Sequence, residues 1–134
     1  MSEYPFAGPI VPVLRVEDAD ASAAFYGDLL GFQIAEERDE DGVLTGARLR
    51  AGEAQLILSQ QRGEVQTSPG AGPVFRIQAR DVEGLHASLV AKGVTIAEIR
   101  RTETGSIEFE LVDPDGYELW FGGADSVTGP APAS

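Results

Sequence analysis

The chain of 134 residues contains no cysteine and a single histidine. The lack of cysteine excludes disulfides, thiolate nucleophiles, zinc fingers and iron–sulfur clusters. One histidine excludes every site that needs two histidines from the same chain, including the two-histidine, one-carboxylate site of non-haem iron. The sequence therefore offers few side chains that could hold a transition metal.

Positive charge is also scarce, because 10 basic residues stand against 22 acidic ones and give a formal charge of −12. Nucleic acids and anionic membrane surfaces need a basic surface on their partner, so neither is expected to bind. No apolar run is long enough to cross a bilayer, and the first ten residues lack the pattern of a signal peptide. We therefore expect a cytoplasmic protein.

What the chain does contain is two halves with the same order of local signals. Each half predicts a strand, a helix and then three strands, from apolar periodicity and turn residues. In the first half these cover residues 10–16, 21–30, 32–37, 43–50 and 54–59. In the second half they cover residues 73–79, 81–90, 94–100, 106–112 and 117–121.

The ends of the two helices repeat as well. Asp18 or Asp20 in the first half and Asp81 in the second are suitable N-caps, since an aspartate side chain accepts from free helical N–H groups. Gly31 and Gly93 end the helices, because glycine adopts the left-handed conformation without a steric penalty. Each half is therefore a βαβββ module, and the two modules are expected to share a core.

These signals divide the chain into five parts. We predict an N-terminal arm at 1–9, a first module at 10–60, a linker at 61–72, a second module at 73–122 and a flexible tail at 123–134. The linker and the tail are rich in glycine, proline and small residues. Such segments bury too little apolar surface to form packed structure.

Four motifs carry a resemblance to a known family: PVLRVED at 12–18, FY at 25–26, LGF at 30–32 and DPDGYELWF at 113–121. Together they resemble the vicinal oxygen chelate superfamily, which holds the glyoxalase I, bleomycin-resistance and extradiol-dioxygenase relatives. The resemblance covers residues 9–122. It implies an α+β fold in which two βαβββ modules form a curved mixed sheet with a concave ligand cleft.

The resemblance also locates the positions where active members commonly hold a metal. Here these positions are Val11, Gly72 and Trp120. Valine and glycine side chains do not ligate a cation, and the indole of tryptophan offers only a donor. Glu118 shares a strand face with Trp120, but one carboxylate does not make a metal site. We therefore expect neither a metal nor another cofactor.

Alternation along the strands assigns the side chains of the cleft. If Leu14 and Val16 pack on the helix, Val13 and Arg15 point to the concave side. The matching strand of the second half adds Val74 and Arg76, and the last strand adds Glu118 and Trp120. The candidate ligand-binding residues are Val13, Arg15, Val74, Arg76, Glu118 and Trp120. The two arginines could bind an acidic group of a ligand or pair with nearby carboxylates. Trp120 could stack on a ligand or belong to the core.

Two other features have a plain interpretation beside a functional one. His86 falls at the edge of the apolar stripe of the second helix, which predicts a surface or boundary residue and not a catalytic one. The acidic run at 36–41 is expected at a hairpin, where it is either a solvated loop or a surface that gathers cationic ligands.

The resemblance and the missing ligands together indicate a metal-independent small-molecule-binding protein of the glyoxalase/bleomycin-resistance type. It would sequester an amphipathic or cationic drug-like compound, as in antibiotic resistance. The alternative is a lyase, isomerase or dioxygenase of the same superfamily with an atypical or lost metal site, for which Glu110 or Glu118 could serve as a base. The resemblance further implies a homodimer, in some relatives with exchange of N-terminal segments.

Overall fold

A computed structural model describes residues 5–61 and 72–124. The first module consists of β1 (Val13–Val16), α1 (Ala19–Ala24), a π-helical turn (Phe25–Leu29), β2 (Gln33–Glu40), β3 (Val43–Ala51) and β4 (Ala54–Gln60). The second consists of β5 (Val74–Gln78), α2 (Val82–Ala91), β6 (Arg100–Arg101), β7 (Ser106–Val112) and β8 (Glu118–Ala124). Apart from its two end residues, the predicted linker lies outside the described residues, as does the predicted tail beyond Ala124.

Each module forms its own four-stranded mixed sheet. The strand order is β1-β4-β3-β2 in the first module and β5-β8-β7-β6 in the second. In each sheet the first strand is parallel to the last, and the remaining pairs are antiparallel. Parallel strands need a crossover connection, and in each module this connection begins with a helix, α1 after β1 and α2 after β5. The predicted α+β fold of two βαβββ modules is confirmed.

The predicted helix caps are confirmed at the atomic level, although the first helix starts at Ala19, earlier than predicted, and continues as the π-helical turn Phe25–Leu29. The Asp18 side chain accepts the Ala21 N–H at 3.1 Å, and the Asp81 side chain accepts the Gly84 N–H at 2.9 Å. After the helices, Gly31 and Gly93 adopt φ angles of 78° and 86°. These local signals sufficed because a cap depends only on residues within one turn of it.

Two strand predictions were too long. The segment 94–100 forms a strand only from Arg100, and Ile96 and Ile99 pack against the core from irregular backbone. Its apolar spacing is that of a strand, but no neighbouring strand is there to pair with it. The first strand starts at Val13, since Ile10 is 98% exposed and unpaired.

The acidic run is a strand and not a hairpin loop. β2 continues to Glu40, and every one of its residues is exposed because β2 is an edge strand. The turn itself is Asp41 and Gly42, with φ angles of 52° and 79°. Positive angles at both positions match the two-residue turn that best fits the twist of a hairpin.

One hydrophobic core spans both modules, as the sequence analysis predicts. Its fully buried side chains come from both sheets and both helices, and the largest are Tyr26, Phe109, Leu14, Leu49, Leu58, Leu89 and Leu119. None of the described helices is long and apolar enough to cross a membrane.

Candidate ligand-binding site

Each sheet packs one side on the core and leaves the other side open. We call the open side of the first sheet the first face. According to the strand register it carries Val13, Arg15, Gln33, Glu36, Arg38, Glu40, Val43, Gly46, Arg48, Arg50, Gln55, Ile57 and Ser59. Leu14 and Val16 are fully buried, whereas Val13 is 57% exposed. Val13 and Arg15 therefore point away from the core, as predicted from alternation.

The open side of the second sheet, the second face, brings together the other four predicted residues. In the register, Val74 lies opposite Glu118, and Arg76 lies opposite Trp120. Glu110 lies opposite Trp120 on its other side. The six candidate residues are thus divided between two faces on different modules, two on the first and four on the second.

Arg100 organises the second face. Its Nη2 lies 2.8 Å from Glu108 Oε1, and its Nη1 lies 3.0 Å from Glu110 Oε2. The same guanidinium stands 5.4 Å from the centre of the Trp120 ring, a distance at which a cation is attracted to the π face. These acidic partners raise the pKa of Arg100, and the Glu108 hydrogen bond is the largest cause. A cation of the protein itself therefore occupies this face of the indole.

Arg76 lies flat across the end of β8. Its Nη1 donates to Gln78 Oε1 at 3.0 Å, and its Nε is 3.8 Å from Glu108 Oε2. A Cβ atom at Gly122 would stand 2.5 Å from Arg76 Nη2. The guanidinium can occupy this position only because residue 122 is glycine. The expectation that Arg76 pairs with nearby acids is met through Glu108 and not through Glu118.

Trp120 is partly exposed, but its Nε1 is buried and has no hydrogen-bond partner among the described residues. A buried N–H without an acceptor is costly, and most such groups in folded proteins find a partner. Because protein atoms cover Nε1, an acceptor from a ligand or another chain would reach it only after a neighbouring side chain moves. The indole is therefore both an apolar surface and an unused donor.

Arg100 and Glu108 belong to this site but were not among the residues predicted from the sequence. Glu108 and Glu110 alternate with the buried residues Ile107, Phe109 and Leu111, and this alternation is the signal that could have placed them beside Trp120. No comparable signal exists for Arg100, because its position depends on pairing between β6 and β7.

Two cavities adjoin the candidate residues. One of about 290 Å³ lies on the first face, and all of its lining residues belong to the first module. Another of about 540 Å³ runs along β5 at the seam between the modules, with Ile10 and Pro12 on one side and Val74 and Arg76 on the other. Both sizes are close to or within the range of about 300–1,000 Å³ that is usual for small-molecule sites.

A buried tyrosine–aspartate pair fixes the two modules to each other beneath these faces. Tyr26 Oη donates to Asp113 Oδ2 at 2.6 Å, and Asp113 Oδ1 accepts the N–H groups of Asp115 and Tyr117 at 2.9 Å each. Burial raises the pKa of Asp113 above its ordinary value, although its hydrogen bonds oppose this. Burial, followed by the charge of Asp113, also raises the pKa of Tyr26.

Tyr117 extends this connection to β1. Its Oη donates to the Arg15 carbonyl at 2.9 Å and accepts the Arg15 N–H at 3.1 Å. Asp115 accepts the Glu17 N–H at 3.0 Å and the Ser22 hydroxyl at 3.2 Å. The DPDG turn at 113–116 and Tyr117 after it therefore hold the start of the first module in place, and Tyr117 fixes the backbone from which Arg15 projects.

His86 has a structural role. Its Nε2 lies 2.8 Å from the Ala97 carbonyl, and its ring meets the edge of Phe109 at 5.1 Å between centres. These contacts tie the irregular segment after α2 to the helix and to the core. As predicted, the histidine is a boundary residue on α2.

The acidic run is divided between the two sides of the first sheet. Glu36 lies on the first face, where it pairs with Arg48. Glu37 and Asp39 border a groove on the opposite side, together with Asp20 and Asp28 of the first helical segment. Strand alternation causes this division, so the run does not present one continuous acidic surface to the cleft.

A metal does not fit the donor set of this site. The positions expected to hold ligands are Val11, Gly72 and Trp120, none of which has a side chain that ligates a cation. The carboxylates nearest to Trp120 along β7, Glu108 and Glu110, are paired with Arg100. Among residues 5–61 and 72–124, no group of three acidic or histidine side chains converges on one point.

Comparison with known proteins agrees with the architecture. The family model described as Glyoxalase/Bleomycin resistance protein/Dioxygenase superfamily matches residues 8–121. A search of curated proteins finds no match.

Three solved structures illustrate the likeness. A bleomycin-binding protein complexed with bleomycin is 25% identical, covers 89% of this chain and 100% of its own, and has a TM-score of 0.69. TioX from Micromonospora sp. ML1 is 17% identical over 88% and 100% of the two chains, with a TM-score of 0.70. A lactoylglutathione lyase from Agrobacterium tumefaciens is 21% identical over 90% and 96%, with a TM-score of 0.64.

At 17% and 21% identity, the last two structures show a likeness of fold alone. The family match, by contrast, spans nearly all of the described chain, and it includes the PVLRVED, FY, LGF and DPDG motifs. The chain belongs to the glyoxalase/bleomycin resistance protein/dioxygenase superfamily.

Proposed function

We propose that the protein is a metal-independent binding protein that sequesters an amphipathic small molecule. The observation that carries the proposal is Trp120, which stands where a metal ligand is expected and has a partly exposed ring with an unpartnered N–H. Apolar burial and stacking would supply the affinity, and a few polar groups would fix the orientation of the ligand. The likeness to a bleomycin-binding protein supports the same reading.

A cationic ligand has less support than the net charge of −12 implies. Arg100 already stands over the indole and is paired with both Glu108 and Glu110. A second cation would have to displace it or use Glu118. The alternative of a metal-free enzyme with Glu110 as the base meets the same obstacle, because the carboxylate is engaged by Arg100.

We further propose that the cleft is completed in a homodimer. The first-face cavity is lined by the first module alone, and the two faces belong to different modules. A partner chain could place its second face over this open surface. Size-exclusion chromatography with light scattering should then give twice the chain mass of 14.2 kDa. The cytoplasmic location stays a prediction from the sequence.

Titration of Trp120 fluorescence tests the proposal directly, because this is the only tryptophan of the chain. A panel of neutral, anionic and cationic amphipathic drugs, with bleomycin included, should contain compounds that change the emission saturably. The matched variant is Trp120→Phe, studied by calorimetry, which keeps an aromatic ring but removes the N–H. It should bind the same compounds at least several-fold more weakly.

Two results would contradict the proposal. One is unchanged emission across the whole panel together with no calorimetric heat. The other is a stoichiometric, tightly held transition metal in the purified protein by elemental analysis, since that would contradict metal independence.

A further inference from the structure

Basic residues are concentrated on the first face. Four of the ten basic residues of the chain, Arg15, Arg38, Arg48 and Arg50, lie there according to the strand register. According to the same register, two carboxylates lie on this side, Glu36 opposite Arg48 and Glu40 opposite Val43. In a chain with 22 acidic residues, this local excess of positive charge is opposite in sign to the protein as a whole.

Arg48 shows how this surface engages a carboxylate. Its Nη2 is 2.5 Å from Glu36 Oε1, and its Nη1 lies 3.5 Å from Gln55 Oε1. The Glu36 side chain is 70% exposed, so this ion pair lies at the surface in contact with solvent. Exposed ion pairs of this kind contribute little to stability, and another anion can replace the carboxylate.

Arg15 and Arg50 have guanidinium groups that are not neutralised in this way. No carboxylate of the described part of the chain lies within ion-pair distance of either group. The backbone of Arg15 is held on both sides by Tyr117 Oη, so the point from which this side chain projects is fixed. Guanidinium groups bind carboxylate and phosphate oxygens through two parallel hydrogen bonds.

An apolar surface adjoins two of the four arginines, Arg38 and Arg48. The cavity of about 290 Å³ contains Val13 and Ile57 next to Arg38 and Arg48, and its floor at Gly46 carries no side chain. Glu37 also borders the cavity, but its register partner is Ala47, which is buried on the core side. Alternation therefore directs the Glu37 carboxylate to the other side of the sheet.

We propose that the first face binds the anionic group of the ligand, so that this protein takes up an amphipathic organic anion with a carboxylate or phosphate headgroup. Val13 and Ile57 contact the apolar body, and the arginines bind the headgroup, with Arg48 exchanging Glu36 for the ligand. The inference rests on the proposed function and names its ligand class. It reverses the preference that the net charge suggests, because affinity depends on the field within the cleft and not on the total charge.

Isothermal titration calorimetry with four probes that share one ring system tests this inference. The probes are 2-naphthoate and 2-naphthyl phosphate as anions, 2-naphthylmethanol as the neutral analogue and 2-naphthylmethylamine as the cation. At least one anion should bind about tenfold more tightly than the alcohol, as expected for one additional charged hydrogen bond. Comparison of the two anions distinguishes a carboxylate site from a phosphate site.

Substitutions on and off the face make the test specific. Arg48→Gln and Arg15→Gln should each weaken the anion about tenfold. They should leave the alcohol unchanged. Arg80→Gln removes the same charge from an exposed position outside the face and is the matched control. Glu36→Gln should strengthen anion binding, because it removes the competing carboxylate without loss of an arginine.

The inference is overturned if the alcohol or the amine binds as tightly as both anions, or if Arg80→Gln weakens the anions as much as Arg48→Gln does. It is also overturned if neither anion binds. These results leave the proposed function standing when compounds of the drug panel still change the Trp120 emission. Unchanged emission in that panel is the separate sign that the proposed function has failed.

Discussion

The hydroxyl of Tyr26 and the carboxylate of Asp113 meet at 2.6 Å in the buried centre of the molecule, 87 residues apart in the chain. Tyr26 belongs to the π-helical turn of the first module, and Asp113 opens the DPDG turn of the second. Both side chains are almost completely buried, at 0% and 4% exposure. Relative placement of the two open faces therefore depends on a polar contact inside an apolar core.

Removal of the Tyr26 hydroxyl should destabilise the protein. In Tyr26→Phe, Asp113 Oδ2 loses its donor while it stays buried, and a buried acceptor of this kind costs about 1–3 kcal/mol. Urea unfolding followed by circular dichroism measures the change. In a Tyr26→Phe background, Asp113→Asn should cost less than it does alone, since the two groups act as a pair. Additive effects of the two substitutions would contradict the pairing.

The buried carboxyl of Asp113 should make stability depend on pH. Burial raises its pKa in the fold, so its favourable contribution is complete below the unfolded value of about 3.9 and is lost as the pH rises through the raised folded value. Asp113→Asn remains neutral and does not suffer this loss. The stability of the variant relative to the parent should therefore increase from about pH 3.5 to pH 7.

Urea unfolding at a series of pH values measures how the difference in unfolding free energy between the variant and the parent changes with pH. A constant difference in stability between aspartate and asparagine does not affect this change. Asp39→Asn is the control, because this carboxylate is exposed on β2. A difference between parent and Asp113→Asn that stays flat, or falls, from acid to neutral pH would refute the prediction.

The two adjacent glycines of β8 should respond differently to a methyl group. In Gly122→Ala the new Cβ meets the end of the flexible Arg76 side chain at 2.5 Å, and Arg76 can move away. In Gly123→Ala it meets the Ala79 carbonyl oxygen, which is a backbone atom. Gly123→Ala should cost about 1–3 kcal/mol of stability, and Gly122→Ala under about 1 kcal/mol. Thermal unfolding of both variants gives the comparison, and equal losses would contradict it.

Arg100 should shield the indole of Trp120. In Arg100→Ala the guanidinium no longer covers the ring, so quenching of Trp120 fluorescence by acrylamide should increase. Arg101→Ala is the matched control, because it removes the neighbouring charge of the same strand, whose side chain is directed to the other side. The same quenching constant in both variants would show that Arg100 does not cover the ring.

The sequence predicts those parts of the fold that depend on neighbouring residues. Asp18, Asp81, Gly31 and Gly93 bound the two helices as expected, because a cap is formed within one turn of the chain. The strand expected over 94–100 was mostly absent, since a strand also needs a partner and alternation does not reveal one.

The candidate site was predictable to a smaller extent for the same reason. Alternation correctly directed Val13 and Arg15 away from the core. The repeat assigned Arg76 to the concave side, and the structure pairs it in register with Trp120. The position of Arg100 over the indole was not predicted, because it depends on the pairing of β6 with β7. Whether the candidate residues bind a ligand stays a prediction.

The charged sequence of β2 has a consequence for association between copies of the chain. β2 is eight residues long, lies at the edge of its sheet and exposes every residue, and such an edge can serve as a template for uncontrolled strand addition. Four of the five residues from Glu36 to Glu40 are carboxylates. Two such edges brought together would set like charges against each other at close range, which protects the protein from aggregation through this strand.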